Sequence, residues 1–234
     1  MQSLEAILAP DSIVAIIDDD PNDAALEELL VEEAGFTPQR LEGPFDAPAQ
    51  IVEAVKNCGA VSAICDHRLL HGYAAFFGAE AVAELIGNRI PAFLVTQFYD
   101  MDIDTSIRRW RSKVPFIVGR DELDDEIIRS AIEGTFREIE GDLMPNRRPY
   151  TALVRVDSMS KEGGSDVLDV VVPQWNPNRA VRFPLELIEE DVRGQIQPGT
   201  RLIATVNTGA DEPADLYFEG FQIAPAPEGI YGDQ

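Results

Sequence analysis

Carboxylates stand at the ends of two short apolar runs in this chain. Ile13–Ile17 is followed by Asp18, Asp19 and Asp20, and Ala60–Cys65 is followed by Asp66; a third run, Ala92–Val95, leads into the hydroxyl of Thr96. If these run ends meet, several negative charges crowd one rim, which costs energy unless protons or a cation compensate. Mg²⁺ suits that task, because it takes oxygen ligands in octahedral geometry and keeps several waters, so two or three carboxylates plus a phosphate oxygen satisfy it. Asp66 is then placed to attack a phosphoryl group whose charge the metal neutralises, and Thr96 offers its hydroxyl to a phosphoryl oxygen. The plainer account of Asp18–Asn22 is a solvated turn with a helix N-cap, a place where Asp and Asn are favoured.

Bringing those run ends to one rim requires parallel strands. A helix is expected over Asp23–Ala34, with Leu26, Leu29, Leu30 and Val31 as its apolar side and Gly35 as its stop. A weaker strand follows at Gln39–Leu41, then helices at Pro48–Asn57 and Gly78–Ile86, a short helix at Ser106–Arg111, a strand at Pro115–Val118 and a long helix at Glu122–Ile139. Uniformly apolar strands alternating with helices imply an α/β fold, a doubly wound parallel five-stranded sheet covered on both faces. Ligands in such sheets bind at the carboxyl ends of the strands. From Tyr150 onward the pattern changes to β-branched runs separated by Gly, Pro, Asn and Asp. Ala152–Asp157, Val167–Val172, Ala180–Leu185, Arg201–Asn207 and Leu216–Ile223 read as five strands of a small antiparallel β-barrel. The junction MPNRRPY cannot continue a helix, which divides the chain into residues 1–145 and 146–234.

Composition narrows the function classes. The 234 residues include 42 Asp plus Glu against 19 Lys plus Arg, a formal net charge of −23. That field repels phosphate backbones and anionic lipid, so plain electrostatic binding to nucleic acid or to a membrane surface is not expected. The first segment carries 11 basic and 28 acidic residues, net −17, and the remainder 8 and 14, net −6. No apolar run approaches the roughly 20 residues of a transmembrane helix, and the start of the chain lacks the basic flank of a signal peptide. Cys58 and Cys65 have neither CxxC nor zinc spacing and suit a reducing compartment, so a cytoplasmic protein is expected. The second half offers no Ser-His-Asp set, no phosphate loop and no His, and no helix-turn-helix pattern.

The segment IVAIIDDDPNDAALEELLVEEAGF, the apolar AICD ending at Asp66 and FLVT ending at Thr96 resemble the receiver domain of two-component response regulators over about residues 12–139. The resemblance implies a flavodoxin-like sheet, an acidic pair Asp18 and Asp19 that binds Mg²⁺ together with Asp66, phosphoryl acceptance at Asp66 from a histidine kinase or phosphotransfer protein, and Thr96 as switch hydroxyl. The 30-residue interval between Asp66 and Thr96 fits that family. Two departures stand out. The Lys-Pro pair after the last strand is missing from PFIVGRDEL, and alignment on Phe116 or on the following helix puts Gly119 or Arg120 in place of the Lys. The stretch DHRLLHGYAAFFGAE lacks the usual Met-Pro and runs about three residues longer than is usual. Signalling through a protein-binding β domain is therefore one reading, with phosphorylated Asp66 drawing in Thr96 and an aromatic such as Phe116 or Phe98; a pseudo-receiver scaffold without phosphotransfer is the other.

His67 and His71 lack a third ligand and read as loop or helix-face residues. The run Arg108–Arg111, with Lys113, reads as a solvated helix end or as an anchor that sets Trp110 at a partner surface. Phe76, Phe77, Phe98 and Tyr99 read as core or loop anchors. Asp18-x-Asp20 with Asp124–Asp125 also superficially resembles haloacid-dehalogenase-type phosphatases, but the Lys motif is missing and a helix starts straight after Pro21. The chain is expected not to be an enzyme.

Overall fold

The computed structural model describes residues 3–69, 72–97, 106–162 and 164–225. The chain divides into two compact units, Met1–Met144 and Pro145–Gln234.

In the first unit the strands are β1 (Ile13–Ile17), β2 (Thr37–Arg40), β3 (Ser62–Asp66), β4 (Ala92–Thr96) and β5 (Ile117–Gly119). All pair in parallel, in the order β2-β1-β3-β4-β5. That is the flavodoxin-like doubly wound order, whose switch point lies between β1 and β3. The helices are α1 (Leu4–Ile7), α2 (Pro21–Glu33), α3 (Pro48–Asn57), α4 (Gly78–Gly87) and α5 (Asp125–Ile139). Strand side chains alternate between faces. Val14, Ile16, Ile64, Phe93 and Val95 form one core with Ala24 and Val31 of α2 and Ile128, Ala131 and Ile132 of α5. No helix among the described residues is long and apolar enough to cross a membrane.

Two helices depart from the sequence reading. Helix α2 starts two residues early, because Pro21 suits the first helical position and Asp20 caps the turn by accepting from the Asn22 N–H at 2.8 Å. Its apolar side is also misjudged: Ala24, Glu27 and Val31 are buried, while Leu26 and Leu29 are 47% and 51% exposed. The long helix begins at Asp125, not Glu122; Arg120–Glu122 forms a separate 3₁₀ turn, and Asp124 caps α5 by accepting from the Ile127 N–H at 2.7 Å.

The second unit holds β6 (Tyr150–Glu162), β7 (Ser165–Val172), β8 (Asn176–Pro184), β9 (Arg201–Val206) and β10 (Phe218–Ile223), all antiparallel, in the order β10-β9-β6-β7-β8. The expected barrel does not close. The edge strands β8 and β10 share no ladder; they meet through rings, Phe183 lying 5.0 Å from Phe218 and 5.7 Å from Phe221. Leu185, Leu187, Ile188 and Val192, on the segment that includes the short helix α6 (Glu190–Arg193), belong to the same core. Glu189 Oε2 accepts from the Phe221 N–H at 3.1 Å, satisfying a donor that a closed ladder would have used.

Candidate functional site

Strand register brings the site together. Ile17 pairs with Cys65 and Asp66 with Val95, so Asp18, the next residue after β1, lies beside Asp66; Thr96 pairs with Gly119, so Arg120 leaves β5 at the same rim. Asp18, Asp19, Asp20, Asp66, Thr96 and Arg120 all line one cleft of about 330 Å³. Gly78 at the start of α4 permits close packing under the acceptor, since a Cβ there would lie 1.9 Å from the Asp66 carbonyl oxygen.

The centre of the cleft is a guanidinium. Arg120 Nη2 donates to Asp18 Oδ2 at 2.9 Å and to Asp66 Oδ1 at 2.6 Å. Its Nη1 donates to Glu27 Oε1 at 3.2 Å and lies 3.5 Å from Asp23 Oδ2. The remaining carboxylate oxygens of the two strand-end residues are also engaged. Asp18 Oδ1 accepts from the Asp20 N–H at 2.8 Å, and Asp66 Oδ2 from the Arg68 N–H at 2.7 Å. Of the two alternatives for the missing Lys, Arg120 carries the charge, and Gly119 is the extended residue that opens the 3₁₀ turn.

Four carboxylates around one cation leave an excess of negative charge in a buried place, and the titration follows. Burial pushes the Asp18 carboxyl up to about 6, against the Asp20 N–H and Arg120, with Asp66 adding to the rise. Burial likewise raises Asp66 in spite of Arg120. Glu27, only 1% exposed, is pushed well above the carboxylate range by burial and then by the charge of Asp18. Burial opposes the Arg120 charge, but Glu27, Asp18 and Asp66 outweigh it, so the guanidinium stays protonated.

The cation set expected from the sequence, Asp18, Asp19 and Asp66, is not assembled as such. Arg120 occupies the carboxylate faces of the first and third, and Asp19 has partial exposure beside them. Among the described residues no group of three or more His, Cys, Asp or Glu is arranged to hold a metal ion. The residues present therefore do not fit Mg²⁺. Glu27 is the participant that sequence reasoning missed. Its signal was positional: Ala24, Glu27, Val31 and Ala34 follow a 3-4-3 spacing, which is one helix face, and the Glu stands in the middle of it.

Other expected residues fall elsewhere. Arg108 and Arg111 are buried, not solvated, and Arg111 Nη1 donates to the Val114 and Pro115 carbonyls at 2.6 and 3.1 Å. Trp110 is half-buried, with Lys113 Nζ 5.7 Å from its ring centroid. His67 is buried, stacks on Phe77 at 5.2 Å and shares a hydrogen bond with Ser106 Oγ at 2.7 Å. His71, Phe98 and Tyr99 lie outside the described residues. Asp20 and Asp124, needed by the phosphatase reading, are both engaged as helix caps.

No protein-family model and no curated protein matches the chain. Among solved structures, it is similar to a sensor protein from Polaromonas sp. JS666, with 16% identity over 56% of this chain and 99% of that one and a TM-score of 0.43. It is similar to a response regulator receiver domain protein from Clostridium thermocellum, with 14% identity over 55% and 97% and a TM-score of 0.42. A third is the response regulator TrrA from Thermotoga maritima in complex with Mg²⁺ and BeF, with 17% identity over 51% and 98% and a TM-score of 0.40. These neighbours match the N-terminal part of the chain, the five-stranded parallel sheet, and the C-terminal antiparallel sheet is separate from it.

Proposed function

We propose that this chain is a response-regulator-type signalling protein. Its N-terminal unit receives a signal at Asp66, and its C-terminal sheet, or the surface around Trp110, engages a protein partner. The observation that carries the reading is the meeting of Asp18 and Asp66 on Arg120 at the carboxyl ends of parallel strands, with Thr96 in the same cleft. In this reading Asp66 would accept a phosphoryl group from a phosphohistidine on a kinase or phosphotransfer protein, the P–N bond breaking as the P–O bond forms. Arg120 would then hold phosphoryl oxygens with its planar donor fork, and Thr96 would add a hydroxyl. Neither role requires the chain to turn over a substrate, so no enzymatic activity of its own is proposed. The two free cysteines suit a cytoplasmic setting.

The full chain incubated with acetyl phosphate, with and without EDTA, and weighed intact tests this. The expected result is the mass of one phosphoryl group, insensitive to EDTA and lost in Asp66→Asn. No gain under either condition would remove phosphotransfer and leave the second reading, an adaptor that signals without it. That reading is favoured by the engagement of both Asp66 carboxylate oxygens, one by Arg120 and one by the Arg68 N–H. It expects Asp66→Ala to leave partner binding unchanged, with changes at Trp110 or in the β unit abolishing it.

A further inference from the structure

We propose that Glu27 and Arg120 together form a built-in replacement for the divalent cation, with Glu27 as the positioning residue that holds the guanidinium across Asp18 and Asp66. The inference rests on the signalling reading for why a cation is expected at this rim at all.

A Mg²⁺ ion needs open oxygen positions at about 2.0–2.1 Å. Here the Arg120 guanidinium already lies on one oxygen of each of Asp18 and Asp66, so a metal ion would have to approach against its charge, and the second oxygen of each accepts from a backbone N–H. Arg120 keeps that arrangement only if its long side chain stays put, and the rotamer entropy of a free arginine resists it. Glu27 supplies the restraint. It comes from the buried face of α2, takes the second arm of the guanidinium at 3.2 Å and thereby fixes the plane of the fork. Its cost is visible, because Glu27 Oε2 is buried with no hydrogen-bond partner. A carboxyl group in a helix stripe of Ala and Val is unfavourable by itself, and the Arg120 contact is what offsets that cost. A Lys in place of Arg120 would be a compact charge on a flexible stem, unable to span both carboxylates and Glu27 at once.

Mn²⁺ is the probe, counted by the paramagnetic resonance signal of the free ion in the presence of the full chain. Binding that depends on Asp66 is obtained by subtracting the matching Asp66→Asn protein. Wild type is expected to show none. Glu27→Leu, which places a leucine in an apolar stripe, is expected to gain Asp66-dependent Mn²⁺ binding at least about tenfold tighter than the weakest binding the assay can detect. Glu27→Leu with Arg120→Lys is expected to gain more, and Glu27→Gln, whose amide oxygen still accepts from Nη1, less than Glu27→Leu. Asp66-dependent binding by wild type overturns the inference, as does a cooperatively folding Glu27→Leu protein that binds no more than wild type. Wild type that takes up both Mn²⁺ and a phosphoryl group would overturn this inference and leave the signalling reading standing. Wild type that takes up neither would leave the inference standing and retire phosphotransfer.

Discussion

Two arginine–carboxylate sites, one in each unit, use the same groups to opposite effect. In the β unit Arg182 Nε and Nη2 donate to the two oxygens of Asp169 at 2.8 and 3.2 Å, and Ser158 adds a hydroxyl at 2.7 Å. The site is one cation to one anion on half-open strands, with side chains 41% and 23% exposed, and the Arg182 hydrogen bond lowers the Asp169 carboxyl. At the rim of the parallel sheet Arg120 faces four carboxylates in a buried cleft, and Asp18, Glu27 and Asp66 are raised instead. Hydrogen bonds of similar length thus accompany opposite shifts. What differs is burial and stoichiometry: desolvation penalises every ionised carboxylate, and one guanidinium cannot compensate them all. A surface ion pair is a small fixed gain, whereas a buried and over-subscribed one holds protons or seeks a cation.

Removing the arginine from each site gives the largest contrast. Arg120→Ala strands buried carboxylates and is expected to cost about 3–5 kcal/mol at neutral pH, in line with breaking a buried pair. Lowering the pH should return part of that loss, since protonation removes the uncompensated charge. Urea unfolding at pH 7.5 and pH 5 reads both effects. A loss under about 1 kcal/mol at pH 7.5, the range of exposed pairs, would place the Arg120 cluster in the same class as Arg182–Asp169 and erase the distinction.

Proton linkage supplies the next test. The Asp18 carboxyl is raised from 3.8 in the unfolded chain to about 6 in the folded one, so between those values the native state binds more protons. Stability from this group is therefore greatest below pH 3.8 and falls as pH rises through 6. A shift of this size corresponds to something on the order of 2–3 kcal/mol. The wild-type stability minus that of Asp18→Asn should fall by that amount between pH 4 and pH 7.5. A difference that is flat, or that rises with pH, would mean that Asp18 is ionised throughout and well compensated, as Asp169 is.

The parallel sheet was legible because β1, β3 and β4 are buried nearly along their whole length and their ends carry the chemistry, whereas the polar edge strand β2, Thr37–Arg40, was read two residues late. Asp18, Asp66 and Thr96 were found from that rule alone, and strand register placed them together. The barrel was over-read, because five alternating strands specify an antiparallel sheet but not whether its edges meet; here Leu185, Ile188 and Val192, which lie outside the strands, add to the core that the sheet covers. Glu27 was hidden for a different reason. Amphipathic reading assigns leucines inward and glutamates outward, and α2 departs from it at Leu26, Leu29 and Glu27, although Leu30 still packs on the core. Glu27 and Arg120 meet at 3.2 Å, and no rule about α2 alone connects residue 27 with residue 120.

A smaller effect separates the sites by salt. Asp169→Asn is expected to cost at most about 1 kcal/mol at neutral pH, because the pair is partly exposed and screened. The lowered Asp169 carboxyl gives a contribution present above its unfolded value and lost as pH falls through the folded one, the opposite slope to that of Asp18. Raising salt to about 1 M should remove most of the Asp169→Asn difference and leave most of the Arg120→Ala loss. Equal salt sensitivity in the two variants would show that solvent reaches both sites alike.

The smallest expected effect tests the reversed helix itself. If Glu27 faces inward because Arg120 holds it there, Leu26 and Leu29 are outward by consequence and contribute little burial. Leu26→Gln and Leu29→Gln should each change stability by no more than about 0.5 kcal/mol, the range for surface substitutions, where a buried leucine truncated or made polar would cost several times that. The control is Val31→Ala on the opposite side of the same helix, fully buried in the sheet core, which should cost more than either. A loss at Leu26 or Leu29 equal to that at Val31 would turn the helix round, take Glu27 away from the guanidinium, and reduce the Arg120 site to the same one-to-one pairing found at Asp169.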